Sequence, residues 1–246
     1  MKGTFICLDC ETTGLDPKLD RIIEIALMRF DFHTTLHSYE TLIDPEIPIS
    51  QVSMAIHHIT EEMVREKPKI QEVLPTVLEW INHHIVIGHG IKLDLAFLVE
   101  SAKRFQIPHT LDQVVTIDTL RLARLYGESP TNSLERLRQH FNIEPEGAHR
   151  AMSDVTVNIA VFKHLCVSFK SIDELLQRLK KPILLKTMPL GKYKGRPFPE
   201  VPLEYLLWAV KGDFDQDLIY SLQTELQKRR KGGRFSEASN PFATLE

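Results

Sequence analysis

The sequence predicts an α/β architecture: a five-stranded mixed sheet flanked by helices, followed by a small α+β C-terminal module. Three observations predict it. Three strand-like runs come first, joined by short polar connections. A strand–helix–strand–helix alternation follows, which is the signature of a layered sheet with helices on its faces. Past residue 180 the charge balance changes sign. A chain of 246 residues is long enough for one large domain and one small module.

Residues 5–8 (Phe-Ile-Cys-Leu) form the first buried strand, and Thr12-Thr13-Gly14 break it. Asp9 and Glu11 stand at its end, two residues apart. Strand side chains alternate, so both carboxylates point to one face. Such a pair repels unless something positive lies between, and a divalent metal with oxygen ligands fits that need. A turn carrying two solvated acids fits the pair as well. Cys7 and Cys10 lie three apart, hence on opposite faces of a strand, and read as packing residues. With Cys166 they make an odd set of three, which argues against a disulfide framework.

Residues 21–30 and 39–43 are the second and third strands of an antiparallel meander that Pro45 and Pro48 end. Residues 49–65 hold one or two short helices, with Thr60 an N-cap. Residues 70–81 are helical, with Val73, Val77, Leu78 and Ile81 on one face. Residues 85–88 are a short apolar strand broken at His89-Gly90. A helix over 92–105 follows, then a strand over 114–117. Asp118 caps a helix over 119–126, and Ser133 caps another over 134–141. Residues 148–169 include a long helix with Val155, Ile159, Phe162 and Leu165 inward.

Asp94 falls in the first turn after the fourth strand, and Asp154 near the start of the long helix. Taken singly, each reads as a helix cap. Five residues along a helix rotate by about 140°, so His149 and Asp154 serve one site only if His149 lies in the preceding loop. Gly147 fits that placement. A loop histidine beside carboxylates can exchange protons near neutral pH. All four acids fall at strand ends or helix starts, where one cleft can collect them.

The formal net charge of −3 hides an asymmetry: residues 1–179 carry 18 basic and 25 acidic side chains, residues 180–234 carry 12 and 6. The basic segment suits a polyanion, or is a solvated surface. A helix over residues 172–179 precedes a boundary at Lys180-Lys181-Pro182. Residues 188–197 read as a hairpin with glycine turns, and 202–210 and 215–231 as helices. Basic residues interleaved with Tyr193, Phe198 and Trp208 suit nucleic-acid contact or simple packing. The domain expectation is therefore 1–180, then a module over 186–234, then a flexible tail over 235–246. No apolar run nears the ~20 residues of a membrane span. The N-terminus enters a strand at once, without a leader pattern, so a cytoplasmic location is expected.

Three stretches resemble the exonuclease motifs of the DnaQ-like (DEDDh) 3′–5′ exonucleases, a group that includes the proofreading epsilon subunit of bacterial replicative polymerases. They are Asp9-Cys10-Glu11-Thr12-Thr13-Gly14, residues 88–98 (GHGIKLDLAFL) and Ala148-His149-Arg150-Ala151-Met152-Ser153-Asp154. The resemblance covers residues 3–168, and Ile56-His57-His58-Ile59-Thr60 is similar to the family's I-x-G-I-T segment. It implies a ribonuclease H-like fold and metal-dependent removal of nucleotides from DNA 3′ ends, single-stranded, with a DNA polymerase as a partner. It implies two Mg²⁺ (or Mn²⁺) ions: Asp9 bridging them, Glu11 and Asp154 completing one site, Asp94 serving the other through water, and His149 as general base. It further implies that Thr12, Thr13 and Gly14 approach the terminal nucleotide, with Leu15 a wedge between the last bases and His58 a hold on the nucleotide. Two positions depart from the family pattern: Gly90 stands where Asn is usual, and Leu93 where Phe is usual. These bear on substrate grip rather than on metal binding. RNA 3′-end trimming and a non-catalytic nucleic-acid-binding or polymerase-docking role are the competing readings. The C-terminal segment resembles a small module found beside such exonucleases, which implies no function for it.

Overall fold

The computed structural model describes residues 3–127, 132–144 and 150–238, with side chains to residue 231. The chain divides into two compact units, Met1–Leu179 and Lys180–Glu246. Among the described residues no single helix is long and apolar enough to cross a membrane.

The first unit is built on strands β1 (Phe5–Thr12), β2 (Ile22–Phe30), β3 (Thr35–Leu42), β4 (Ile85–Gly88) and β5 (Thr116–Asp118). Their order is β3-β2-β1-β4-β5, with β1 antiparallel to β2 and parallel to β4. The five-stranded mixed sheet is thus the expected one. Three edges differ from expectation. β1 runs on through Thr12, so Asp9 and Glu11 lie within the strand. β3 begins at Thr35 because it pairs with β2 back to Phe30. β5 is shifted to Thr116–Asp118, where its register with Val86–Gly88 places it; the apolar Val114 and Val115 precede it.

Helices α1 (Gln51–His57), α2 (Glu61–Val64), α3 (Ile70–Ile81), α4 (Lys92–Arg104), α5 (Thr119–Tyr126), α6 (Leu134–His140), α7 (Ala151–Leu165) and α8 (Ile172–Leu179) surround the sheet. Strand alternation decides which helix each residue of β1 meets. Ile6, Leu8 and Cys10 join the core that Val73, Val77, Phe97 and Leu98 of α3 and α4 complete. Phe5 and Cys7 face the other way, toward α7: the Phe5 ring lies 5.6 Å from Phe162, and the Cys7 thiol donates to Val155 O at 3.7 Å. Phe30 and Phe32 close on Phe162 as well. Phe5, Phe30 and Phe162 are fully buried, and burying each contributes about 1.5–3 kcal/mol. That cluster fixes the axis of α7, and with it the helix start that carries Asp154.

The second unit holds α9 (Leu203–Ala209) and α10 (Gln216–Ala238). Its core is Met188, Phe198, Val201, Leu206, Leu218 and Leu222 with their neighbours. The chain segment before it is pinned along α10. Ile183 N–H donates to Asp217 Oδ1 (3.0 Å) and Leu185 N–H to Ser221 Oγ (2.8 Å). The expected hairpin over 188–197 is replaced by a tight loop with one antiparallel bridge, Thr187 to Pro197. Pro189 and Pro197 bring no N–H to a ladder, and Gly191 and Gly195 take left-handed turns instead. The unit is therefore helical rather than α+β among the described residues. Residues 235–238, expected in a flexible tail, are the last turn of α10; residues 239–246 lie outside the described residues.

Candidate active site

β1 outruns its parallel neighbour. Its pairing with β4 stops at Cys7–Ile87, while its pairing with β2 continues to Thr12. Asp9 and Glu11 therefore project beyond the end of β4, on the face that α7 covers. Asp154, in the first turn of α7, meets them there. Carboxylate oxygens of Asp9, Glu11 and Asp154 all lie within 4.8 Å of one another.

Asp94 enters from the strand edge. Where β4 has ended, the Cys10 N–H lacks a strand partner, and Asp94 Oδ1 accepts it at 3.0 Å. Asp94 stands outside the close trio, yet its charge is the strongest that acts on Asp9.

The electrostatics match a site that wants a cation. Burial, then the charges of Asp94, Asp154, Glu11 and Glu24, push the Asp9 carboxyl well above the usual carboxylate range. Burial and the charges of Asp154 and Glu24 raise Glu11 to about 7. Burial also raises Asp94 to about 7, against the lowering effect of the backbone N–H bonds it accepts. Clustered carboxylate oxygens are the hard, anionic donor set that Mg²⁺ or Mn²⁺ takes.

One residue that sequence reasoning passed over organises this cluster. Glu24, on β2 directly opposite Glu11, is fully buried. Its carboxylate accepts Arg150 Nε–H (3.0 and 3.1 Å) and the Ala151 N–H (3.0 Å). It thereby holds the N-terminus of α7 against the sheet. The signal was present: an acid inside the otherwise apolar run Ile22-Ile23-Glu24-Ile25-Ala26. A second buried network lies behind the trio. Thr119 Oγ1 donates to Asn158 Oδ1 (2.6 Å), and Asn158 Nδ2 donates to Cys7 Sγ (3.6 Å), tying α5, α7 and β1 together.

His149 falls in 145–149, outside the described residues. It directly precedes Arg150, the residue that Glu24 anchors.

The loop after β1 is tightly determined. Thr13 is buried, and its groups are all engaged: N–H to Arg21 O (2.9 Å), hydroxyl to Asp20 Oδ1 (3.1 Å), carbonyl accepting Ser53 Oγ–H of α1 (2.8 Å). Thr12 Oγ1 donates to Gly14 O at 2.6 Å. A side chain at Gly14 would meet the Asp20 carboxylate at 2.4 Å, so glycine is needed for that close approach. Thr12, Thr13 and Gly14 thus shape the loop, and what the loop offers to solvent is Leu15, 79% exposed. His58 is exposed at the C-cap of α1 with φ 58°, a left-handed position where glycine is the easiest residue. Its neighbour His57 is turned inward, Nδ1 accepting the Ile59 N–H at 3.0 Å. Gly90 has φ +78° with open space where a Cβ would be, and its N–H donates to Asp118 Oδ1 at 2.9 Å. Asn and Gly are the residues that adopt this conformation most readily, so the Gly90 departure preserves the backbone and removes only a side chain.

Residues 6–162 match the RNase_T family, described as exonuclease. Residues 176–226 match a family described as a putative quorum-sensing-regulated virulence factor. The DNA polymerase III subunit epsilon of Aquifex aeolicus is 30% identical over 163 residues, which are 66% of this chain and 80% of that protein. The PolC-type DNA polymerase III of Caldanaerobacter subterraneus subsp. tengcongensis is 30% identical over 197 residues, 77% of this chain; the match spans only 14% of that much longer protein. Among solved structures, exonuclease X in complex with 5′ overhanging duplex DNA superposes with a TM-score of 0.57. It is 26% identical, and the match covers 70% of this chain and 98% of that one.

Proposed function

Since the chain belongs to the RNase_T exonuclease family, we propose that it is a metal-dependent 3′–5′ exonuclease acting on DNA, with single-stranded 3′ ends as substrate. The observation that carries this reading is the convergence of Asp9, Glu11 and Asp154 within 4.8 Å at the overhang of β1. Asp9, Glu11 and Asp154 would hold the catalytic cation, with Asp94 completing a second position beside Asp9. When bound, two hard divalent ions, Mg²⁺ or Mn²⁺, neutralise charge on the scissile phosphate and lower the pKa of water.

The chain's own residues do the rest. Glu24 and Arg150 set the position of Asp154 and lead the chain into α7 directly after His149. His149 takes the proton from the attacking water. The rigid Thr12–Gly14 loop aims Leu15 at the end of the strand as a wedge, and His58 holds the terminal nucleotide. The names of the polymerase III relatives support DNA over RNA as substrate and a replication or repair setting with a polymerase partner.

Purified protein is incubated with 3′-labelled single-stranded DNA and RNA of matched sequence, in Mg²⁺, Mn²⁺ or EDTA. Stepwise, metal-dependent loss of 3′ nucleotides from DNA, falling at least ~10³-fold in Asp9→Ala, is the expected result. Faster loss from RNA would reassign the substrate. Binding with no cleavage of either would overturn the catalytic reading.

A further inference from the structure

The aromatic side chains of the second unit are not all spent on its core. Trp208 on α9 is 63% exposed, although an indole is among the side chains that gain most from burial. It ends a row of rings: Trp208 lies 5.2 Å from Tyr205, and Tyr205 lies 4.8 Å from Tyr193, edge-on. Cations gather at the far end of the row. Lys192 Nζ and the Arg196 guanidinium each stand 5.6 Å from the centre of the Tyr193 ring.

The loop that carries these cations is built rather than slack. Met188 N–H donates to Arg196 O and Gly195 N–H to Met188 O, both at 2.8 Å. Two further turn bonds close it, Lys194 N–H to Gly191 O (3.1 Å) and Arg196 N–H to Tyr193 O (3.0 Å). Lys192, Lys194 and Arg196 are exposed on it. The acid Glu204 stands a helical turn before Trp208 on α9.

We propose that this surface binds single-stranded DNA, an unpaired base stacking on Trp208 while Lys192 and Arg196 take adjacent phosphates. An open ring beside fixed cations is the pattern that holds single strands without reading their sequence. A duplex offers phosphates but no free base face, so the exposed indole favours the single strand. The excess of basic residues over 180–234, 12 against 6 acids, gives the unit the matching sign. The surface belongs to the second unit, the carboxylate cluster to the first, and binding here needs no metal.

The chain has two tryptophans, and Trp80 packs against Tyr39 in the first unit. In full-length Trp80→Phe protein, therefore, emission reports Trp208 alone. Titration with a 20-nucleotide oligo(dT) in EDTA is expected to quench it. Trp208→Ala is expected to weaken binding, read by anisotropy of labelled oligo(dT), about tenfold. The pair Lys192→Glu and Arg196→Glu is expected to flatten the dependence of log Kd on log salt by about 1.4. Loss of packing alone would not move that slope. Unquenched emission, or an affinity and slope unchanged in these variants, would overturn the proposal. So would a Trp208-dependent self-association of the DNA-free protein, which would make the ring a protein contact. Because no readout requires cleavage, failure here is distinguishable from failure of the exonuclease reading.

Discussion

Glu24 is fully buried, and the Arg150 guanidinium and the Ala151 amide converge on its carboxylate. Removing Arg150 leaves that charge with one backbone donor. Arg150→Ala is expected to lose roughly 2–3 kcal/mol in urea unfolding, the low side of a broken buried pair because Arg150 keeps 41% of its side chain in solvent. Exonuclease activity should fall with it, since Asp154 is displaced. Glu11 makes a second prediction. Its folded pKa is about 7 against an ordinary 4.5, raised by burial and by Asp154. The metal-free fold therefore favours protonated Glu11. That stability is fully present below pH 4.5 and is lost as pH rises through 7. In EDTA, the Tm of the wild type is expected to fall between pH 5 and pH 8 by roughly 5 °C more than that of Glu11→Gln. Parallel curves for the two proteins would refute it.

An overhanging strand needs its exposed edge satisfied, and Asp94 does this for β1. Its carboxylate replaces the missing β4 partner of Cys10 and adds a charge beside Asp9. Two substitutions separate these duties. Asp94→Asn keeps the Oδ1 acceptor and drops the charge, so metal affinity should fall at least ~10-fold while metal-free stability holds or rises. Asp94→Ala also strands the Cys10 N–H and should be about 1–2 kcal/mol less stable than Asp94→Asn. Equal stabilities in denaturant would show that the hydrogen bond contributes nothing. At the same scale, the alternation of β1 sends Cys7 and Cys10 to opposite cores, which is why the C-x-x-C spacing here is a packing pattern.

Across the whole first unit, acids outnumber bases by 25 to 18, and four of those acids share one end of the sheet. A bound divalent cation should therefore stabilise the whole unit, because it binds only the assembled cluster. Millimolar Mg²⁺ or Mn²⁺ at pH 8 is expected to raise the Tm by several degrees over EDTA, and the gain should vanish in Asp9→Ala. A rise of equal size in that variant would place the ion elsewhere. The second unit, with its opposite charge sign, should show no such dependence.

The elements were legible in the sequence because local chemistry sets them. Apolar runs marked β1 and β2, the 3.6-residue repeat marked α3, and Thr60 and Asp118 accept the amides of Met63 and Leu120 as N-caps do. The carboxylates were legible as a motif, since strand ends and helix starts gather residues into one cleft. Strand limits were less so: the ends of β3 and β5 follow pairing register with β2 and β4, which no local pattern encodes. The loop over 188–197 has hairpin punctuation, yet its prolines leave too few donors for a ladder. Glu24 and Arg150 stand 126 positions apart, and only the packing of α7 on β2 makes them partners. For Trp208 the sequence left nucleic-acid contact and packing both open; its exposure was decided by which face of α9 the core of the second unit covered. The sequence thus determined the strands, the helices and the acids, whose causes lie within a few residues. Tertiary structure decided the distances between them, because those depend on which buried surfaces meet.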